Sequence, residues 1–471
     1  MSISTTVQRS KELKELVFDI IKHADAALSS ARIGKLSVAG RKDLETPNFF
    51  SLSSRGAVPH LTPDVISAHT QFGGVYMALE DFIERAGNAT PPIMNCPGPF
   101  PLHTFAALPP SLITLLAPRR TPAVTAAVGN SNNAISIFTS NGFQTLSNKA
   151  YINYAEKLHP DIAVALADIP HGSVPGTKRV TKMADRTQGW LTELLSGRKE
   201  GKPAIFAPIL SIDFLDQSEY INELADEFAD DIDGLAFYDS NLLPDIPETT
   251  ALSRLPKLSL DEPSSPRHIL RQISLGMDLF TIPFVGFATD AGIALDFQFP
   301  RPSQEEGIVS KGTGSAPLPL GIDMWSTSHS TSLTPLSIGC PCYACRSHHR
   351  AFIQHLLSAK EMLGWALIQI HNYTTMSTFF HSIRESIRNK TFESDCEEFA
   401  RAYESELPEK SGQGPRVRGY NFKSEGPVEQ KKNKAPWLPL GGDDQVAQSV
   451  VPSDELAGKL EEMGVTEQAD Q

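Results

Sequence analysis

Cysteine is scarce in this chain, long apolar runs are missing, and cations fall short of anions. Each shortage removes a class of protein. Five cysteines stand in 471 residues, and three of them fall within six positions. A disulfide scaffold spreads its cysteines along the chain, so this clustering points to metal instead. No uninterrupted apolar stretch reaches the roughly 18–20 residues that a membrane-spanning helix needs. The opening MSISTTVQRSKELKELVFDI has no apolar core followed by a small-residue cleavage site, so an intracellular, soluble protein is expected. The 42 Lys and Arg residues face 55 Asp and Glu, for a formal charge of −13. Phosphates are neutralised by Lys and Arg. Any contact with RNA should therefore be local, or shared with a basic partner.

What remains suits a large globular core. Hydrophobic residues make up 40% and charged residues 21%, the proportions of an ordinary soluble protein. The length fits one large domain with extensions, or two to three smaller ones. Residues 1–27 read as a helical or frayed lead. Residues 31–63 read as a β-rich segment punctuated by Gly and Pro. The middle then alternates. PDIAVALAD (160–168), PAIFAPIL (203–210), GLAFYDS (234–240) and MDLFTIPFV (277–285) are apolar runs expected to be strands. Residues 177–197, 218–230 and 266–276 carry helical spacing between them. Apolar strands separated by helices imply a parallel sheet covered on both faces. Enough repeats close into an eight-stranded (β/α) barrel. The rival, an open doubly wound sheet, lacks a G-x-G-x-x-G after any strand. Residues 301–318 read as a polar loop. A long helical stretch spans about 346–389. From Glu404 onward Gly, Pro, Lys, Glu and Gln dominate, which predicts a disordered tail.

The strongest chemical signal is CPCYACRSHHRAFIQHLL (340–357). Cys340, Cys342 and Cys345 form a C-x-C-x-x-C turn. Thiolates packed this closely suit a tetrahedral zinc ion that still needs a fourth ligand. His348, His349, His355, His371 and His381 are all candidates by position. A site closed by four protein ligands leaves no open position for substrate, so the zinc would be structural.

The block 340–387 resembles the C-terminal zinc region of the tRNA-guanine transglycosylases. The matching elements are the three cysteines, Arg350-Ala351, His355-Leu356, Glu361-Met362-Leu363 and His371-Asn372. Upstream, ARIGKL (31–36), ETPNFF (45–50), RGAVPHLTPD (55–64), RVTKMADRT-x-x-WL (179–191), GLAF (234–237) and GMDLF (276–280) resemble further family segments. The resemblance spans about residues 30–390. It implies His371 as the fourth ligand of one structural Zn2+. It also implies an α/β fold, a (β/α)8 TIM-type barrel over 28–335, completed by a zinc-binding helical subdomain over 336–403, with the tail at 404–471. The implied chemistry exchanges guanine for queuine, or a precursor, at the wobble position of certain tRNAs.

The family's acidic positions are altered. In that reaction a carboxylate attacks the ribose anomeric carbon as guanine leaves. Active members carry G-V-D-M-F-D there. This chain has Gly276-Met277-Asp278-Leu279-Phe280-Thr281, so Thr281 stands at the nucleophile position. A Thr hydroxyl without an adjacent base is a poor nucleophile. Aligning Gly142-Phe143-Gln144 with the family's D-S-G-G-[FY]-Q puts Thr139 at its other acid. The base-reading Asp falls at Ala167, or at Asp168 with a one-residue shift. The P-T-R that follows the nucleophile is replaced by Ile282-Pro283-Phe284-Val285.

These departures predict a chain with no catalytic residues of its own. Its partner would be a catalytic queuine tRNA-ribosyltransferase subunit, joined in a heterodimer that holds tRNA. The resemblance implies a cytoplasmic location, or a peripheral one at the mitochondrial outer membrane. Two other readings stay open: an active transglycosylase with a relocated nucleophile, Asp278 or Asp290, and a zinc-stabilised RNA-binding scaffold. Asp168, Asp239, Asp290 and Asp296 fall near strand ends and are candidates for the barrel mouth. His171 reads as a loop residue. Arg346, His348, His349 and Arg350 beside the zinc loop, and the basic stretch 410–434, are candidate RNA contacts.

Overall fold

The computed structural model describes residues 16–23, 29–83, 90–126, 129–139, 142–170, 175–197, 203–247, 251–301 and 316–415. The lead contains a strand where a helix was expected. β1 (Leu16–His23) pairs antiparallel with β2 (Arg32–Val38), and β2 pairs with β3 (Leu44–Thr46). The run LVFDII is rich in β-branched and aromatic residues, and pairing with β2 decides its state. β4 (Asn48–Leu52), α1 (Pro63–His69), β5 (Gly74–Ala78), α2 (Pro101–Ala106) and β6 (Ile113–Ala117) follow. An antiparallel hairpin, β7 (Ala134–Thr139) and β8 (Gly142–Ser147), then interrupts the barrel order.

The alternation resumes with α3 (Asn148–Leu158), β9 (Ile162–Val164), α4 (Thr177–Ser196), β10 (Ala204–Ile209), α5 (Ser218–Asp226) and β11 (Gly234–Phe237). β12 (Lys257–Ser259), α6 (Pro266–Ser274), β13 (Leu279–Thr281) and α7 (Pro283–Asp290) finish it. The strands β4, β5, β6, β9, β10, β11, β12 and β13 close into one parallel barrel. The expected strand 277–285 is cut short at Thr281, because Pro283 opens α7 at a position where its missing N–H is no loss.

Period-2 alternation sorts the barrel side chains. Phe50, Tyr76, Leu115, Val164, Phe206, Leu258 and Leu279 share one cluster inside the barrel. Leu16, Leu36, Val38 and Leu44 of the β1–β3 sheet belong to the same cluster, so that sheet plugs the barrel's amino end. The fit there is close. A Cβ on Gly73, just before β5, would come within 2.2 Å of a Leu44 methyl.

One buried ion pair locks the plug to the barrel. Arg32 Nε and Nη2 donate to the two Asp278 carboxylate oxygens at 2.9 and 2.6 Å, and the Lys257 backbone N–H donates to Asp278 Oδ2 at 2.8 Å. Arg32 also donates to the Ser253 and Leu255 carbonyls.

Beyond the barrel, β14 (Ile293–Leu295) pairs with β15 (Gly321–Asp323). The expected long helix over 346–389 is the end of α8 (Tyr343–Ser347), then α9 (Arg350–Ser358) and α10 (Met362–Asn389), broken by turns before Arg350 and at Lys360 (φ +58°). After a turn at Lys390 (φ +61°), α11 (Phe392–Ala402) follows. α10 covers the seam between the last and first barrel strands. Phe380 packs on Phe49 and Phe280, and the Tyr373 hydroxyl meets Ser51 Oγ at 2.7 Å. The first part of the expected tail is docked, not free. Leu318 bridges Tyr403, Ser411 bonds Asp323, and Gly412 lies so close to the Trp325 ring that no side chain would fit. The loop 302–315, the tail from 416 and its Trp437 and Leu438 lie outside the described residues.

Asp278→Ala leaves Arg32 charged and buried without its carboxylate. Unfolding in denaturant should show a loss of about 3–5 kcal/mol.

Candidate metal centre and barrel mouth

The metal cluster begins with the turn at 339–345. Gly339 takes φ +79°, which lets the chain reverse before Cys340. Cys342 caps α8: its Sγ accepts from the Cys345 backbone N–H at 3.3 Å. The cap holds Cys342 and Cys345 on one side of the turn. α9 and α10 then run out and back, which returns His371 to the thiols. His371 Nδ1 lies 3.6, 3.6 and 3.3 Å from the sulfurs of Cys340, Cys342 and Cys345. All four candidate ligand atoms lie within 4.8 Å of one another, and the group could hold a metal ion.

Two hydrogen bonds aim the imidazole. His371 Nε2–H donates to the Leu295 carbonyl at 2.8 Å, which leaves Nδ1 facing the sulfurs. Asn372 accepts from the Leu295 N–H at 2.8 Å and donates to Thr289 Oγ1 and to the Ile293 carbonyl.

Crowding governs the protons of this cluster. Burial alone would lower the His371 pKa, but hydrogen bonds to Cys340 and Cys345 overcome it and raise it to about 10. Hydrogen bonds from Cys340 and Cys342 hold the Cys345 thiol far below its usual range, while those to Cys340 and Cys345 push Cys342 far up. Neighbouring sulfurs thus share few protons and hold negative charge in a half-buried place, which is the electrostatic condition for binding a cation.

The other histidines do different work. His349 Nδ1 accepts from the Phe352 N–H and caps α9, and His348 stacks on Phe352. Arg350 donates to the Pro335 and Leu336 carbonyls and holds the loop before the cysteines.

Thr281 and Thr139, expected at the family's acidic positions, each end a strand. Leu279 is inside the barrel and Phe280 outside, so alternation puts Thr281 on the inward face at the carboxyl end of β13. It is buried, and its hydroxyl donates to the Ser259 carbonyl at 3.2 Å. Thr139 ends β7; its hydroxyl donates to Gly142 O and accepts from Gln144 Nε2. Asp278 sits three positions before Thr281, on the strand's other face and at its amino end, within the Arg32 pair.

Of the four carboxylates named for the mouth, those of Asp168, Asp239 and Asp290 are engaged by neighbouring donors. Asp168 is buried and accepts from Asn130 Nδ2, Arg179 and Arg186. Burial pushes its carboxyl above the usual range, against the pull of Asn130, Arg186 and Arg119. Asp239 accepts from the Asn241 N–H. Asp290 ends α7 and pairs with His60 Nε2 at 2.6 Å. Asp296 pairs its backbone with Leu320. His171 lies outside the described residues.

The queuine tRNA-ribosyltransferase family profile matches residues 26–405. The chain belongs to that family. A relative from Schizosaccharomyces pombe, named queuine tRNA-ribosyltransferase accessory subunit 2, is 36% identical over 88% of this chain and 90% of its own length. Relatives of the same name from Xenopus tropicalis and Drosophila melanogaster are 27% and 25% identical, each over 77% of this chain and 94% and 88% of their own.

Family membership accounts for the barrel and the cysteine turn, but several working residues went unread in the sequence. Arg32, Leu295 and Glu80 are examples. Glu80 follows β5, and its oxygens accept from the Arg120 N–H, Arg120 Nε and the Phe138 N–H, tying the β7–β8 hairpin to the mouth. Burial raises its pKa against the pull of Arg120. Only Asn372 had left a trace, as the second letter of the H-N pair.

Asn372→Ala keeps all four candidate ligands but frees the strand that aims His371. Metal affinity, measured by competition with a chromogenic chelator, should fall by about 10–100-fold.

Proposed function

We propose that this chain is the non-catalytic subunit of a queuine tRNA-ribosyltransferase. It would pair with a catalytic homologue and support exchange of guanine for queuine at position 34 of tRNAs with GUN anticodons. One observation carries the reading: the inward position at the carboxyl end of β13 holds Thr281, whose hydroxyl is spent on the Ser259 carbonyl. A glycosyl transfer through the protein needs an ionised oxygen at that point. The alternative nucleophiles fit poorly. Asp278 is bound by Arg32 at the wrong end of the strand, and Asp290 is bound by His60. With Asp168 engaged by α4, Ala167 is the better match to the base-reading position, and a third acid is then missing.

The metal is zinc, one per chain, held by Cys340, Cys342, Cys345 and His371. A tetrahedral zinc with Zn–S of about 2.3 Å and Zn–N of about 2.0–2.1 Å has S···N edges of about 3.6 Å. The Sγ···Nδ1 separations of 3.3–3.6 Å agree with that. Bound there, zinc supplies cross-linking and no catalysis, because four protein ligands close its shell. The residues themselves join three elements: the cysteine turn, α10 and, through the Leu295 carbonyl, β14.

Support for a protein partner comes from the surface around this cluster. Leu333 and Ile338 are 77% and 79% exposed, and Met362, Leu363 and Tyr343 are also exposed. Such apolar side chains near a rigid cross-link suit a stable subunit interface. No described helix is long and apolar enough to cross a membrane, consistent with work in the cytoplasm or at the surface of the mitochondrial outer membrane.

Two measurements test this. Elemental analysis should find about one zinc per chain, and Cys342→Ser should lose it and unfold at lower denaturant, since metal binding is coupled to folding. Mixed with tRNA and labelled guanine, the chain alone should incorporate no label, while addition of a catalytic homologue should give a stable complex and exchange. Label incorporated by the chain alone would sink the reading. So would tRNA binding without any complex, which favours an RNA-binding scaffold.

A further inference from the structure

The segment that leaves β6 does not stay on its own side of the barrel. The closed order β10-β11-β12-β13-β4-β5-β6-β9 puts β6 and β12 on opposite walls. After β6 ends at Ala117, the Ala123 N–H donates to Glu262 Oε1 at 3.2 Å, and Glu262 lies just past the carboxyl end of β12. Residues 118–123 therefore cross the barrel mouth from wall to wall. An ordinary connection stays beside the strand it leaves, since consecutive elements are usually neighbours.

The crossing is held at its root, in its middle and at its far end. At the root the Glu80 N–H donates to the Pro118 carbonyl at 3.2 Å, and the Arg120 N–H donates to Glu80 Oε1 at 2.8 Å. The Arg120 side chain also pairs with Glu80 and Asp81. In the middle the Tyr76 hydroxyl donates to the Arg119 carbonyl at 2.5 Å and meets the Thr121 side chain. Tyr76 is an inward residue of β5. Tyr238 continues the inward face of β11, on the wall opposite β5. The two tyrosines lie near each other, and Arg119 lies near Tyr238. The mouth is thus spanned twice, by the backbone of 118–123 and by two phenol rings. Inward residues that an open mouth would expose are covered: Tyr76 is 3% exposed, Leu260 6% and Thr281 0%. Pro118 and Pro122 restrict the free chain, so fixing the crossing costs less entropy.

We infer that residues 118–123 are an intrasteric strap, a piece of the chain seated in its own barrel mouth where a ligand would enter, with Glu262 as its latch. A nucleobase or another flat ring enters only by displacing strap and tyrosines together. On the proposed function, this chain has lost access to its mouth as well as its acids. The strap itself rests on the fold alone. Its far end is the weak one. One hydrogen bond to an exposed carboxylate holds it there, against several contacts at the root. The strap should therefore open from Glu262, as a flap hinged near Pro118.

The test follows single amides and tyrosines of the full chain. Hydrogen exchange should find the Arg120 and Ala123 amides protected. Glu262→Ala should speed exchange at Ala123 by about 5–10-fold, the loss of one hydrogen bond. Arg120 should stay protected in that variant, which also reports an intact fold. Glu262→Gln keeps an acceptor and should stay closed. Glu219→Ala, at an exposed acid of α5, should change nothing. Nitration by tetranitromethane reads the mouth directly. Tyr76 and Tyr238 should react far more slowly than the exposed Tyr343, and Glu262→Ala should speed them without affecting Tyr343. An Ala123 amide unchanged in Glu262→Ala, or as fast in Glu262→Gln as in the alanine variant, would overturn the latch. Nitration of wild-type Tyr76 at the Tyr343 rate would overturn the strap.

Discussion

Two consecutive residues of α10 hold β14 in place, and the last third of the described chain depends on that junction. Asn372 takes up the Leu295 N–H and the Ile293 carbonyl, and His371 takes up the Leu295 carbonyl. All lie in a buried region where an unpaired amide or imidazole would be expensive. Because the Leu295 carbonyl claims one ring nitrogen, the other is left to face three sulfurs. The hydrogen bond that closes the fold is therefore the one that prepares the metal site. The same helix carries Tyr373 and Phe380 onto the seam of the barrel. Metal centre and barrel wall are one packed object, and loosening either should be felt by the other.

At the mouth the polar groups turn inward on the protein. Glu80 is consumed by Arg120 and the hairpin, Asp168 by Asn130, Arg179 and Arg186, and Asp278 by Arg32 at the opposite end. Each carboxylate stabilises a junction between segments far apart in the chain. A carboxylate held on both oxygens by three donors is fixed in place, and it cannot swing toward an incoming group without breaking that junction.

The elements most legible in the sequence were those with local causes. Apolar runs at 203–210 and 234–240 became β10 and β11, and the spacing of Met183, Trp190, Leu191 and Leu194 marked the buried side of α4. The cysteine turn declared itself by residue type, and family resemblance supplied the choice of His371 over His348. What stayed hidden depends on long-range pairing. Leu16–His23 is a strand because β2 lies beside it and the barrel needs a plug, and nothing within eight residues says so. Arg32 and Asp278 are 246 positions apart. Residues 404–415 look like a solvated tail by composition, yet Gly412, whose lack of a side chain suggests disorder, is what lets the chain lie flat on Trp325.

The altered residues of the mouth are physically linked. A carboxylate at 281 would be buried at a point where the present hydroxyl meets only a carbonyl oxygen, and two acceptors facing each other repel. It could be held there only with a nearby cation or donor. Just after it, Ile282, Pro283, Phe284 and Val285 are all buried and supply no cation. An acid without the cation would be an unpaired buried charge, and a cation without the acid would be another. Loss of either makes loss of the second stabilising. A neutral Thr281 beside an apolar run is therefore a self-consistent, closely packed strand end.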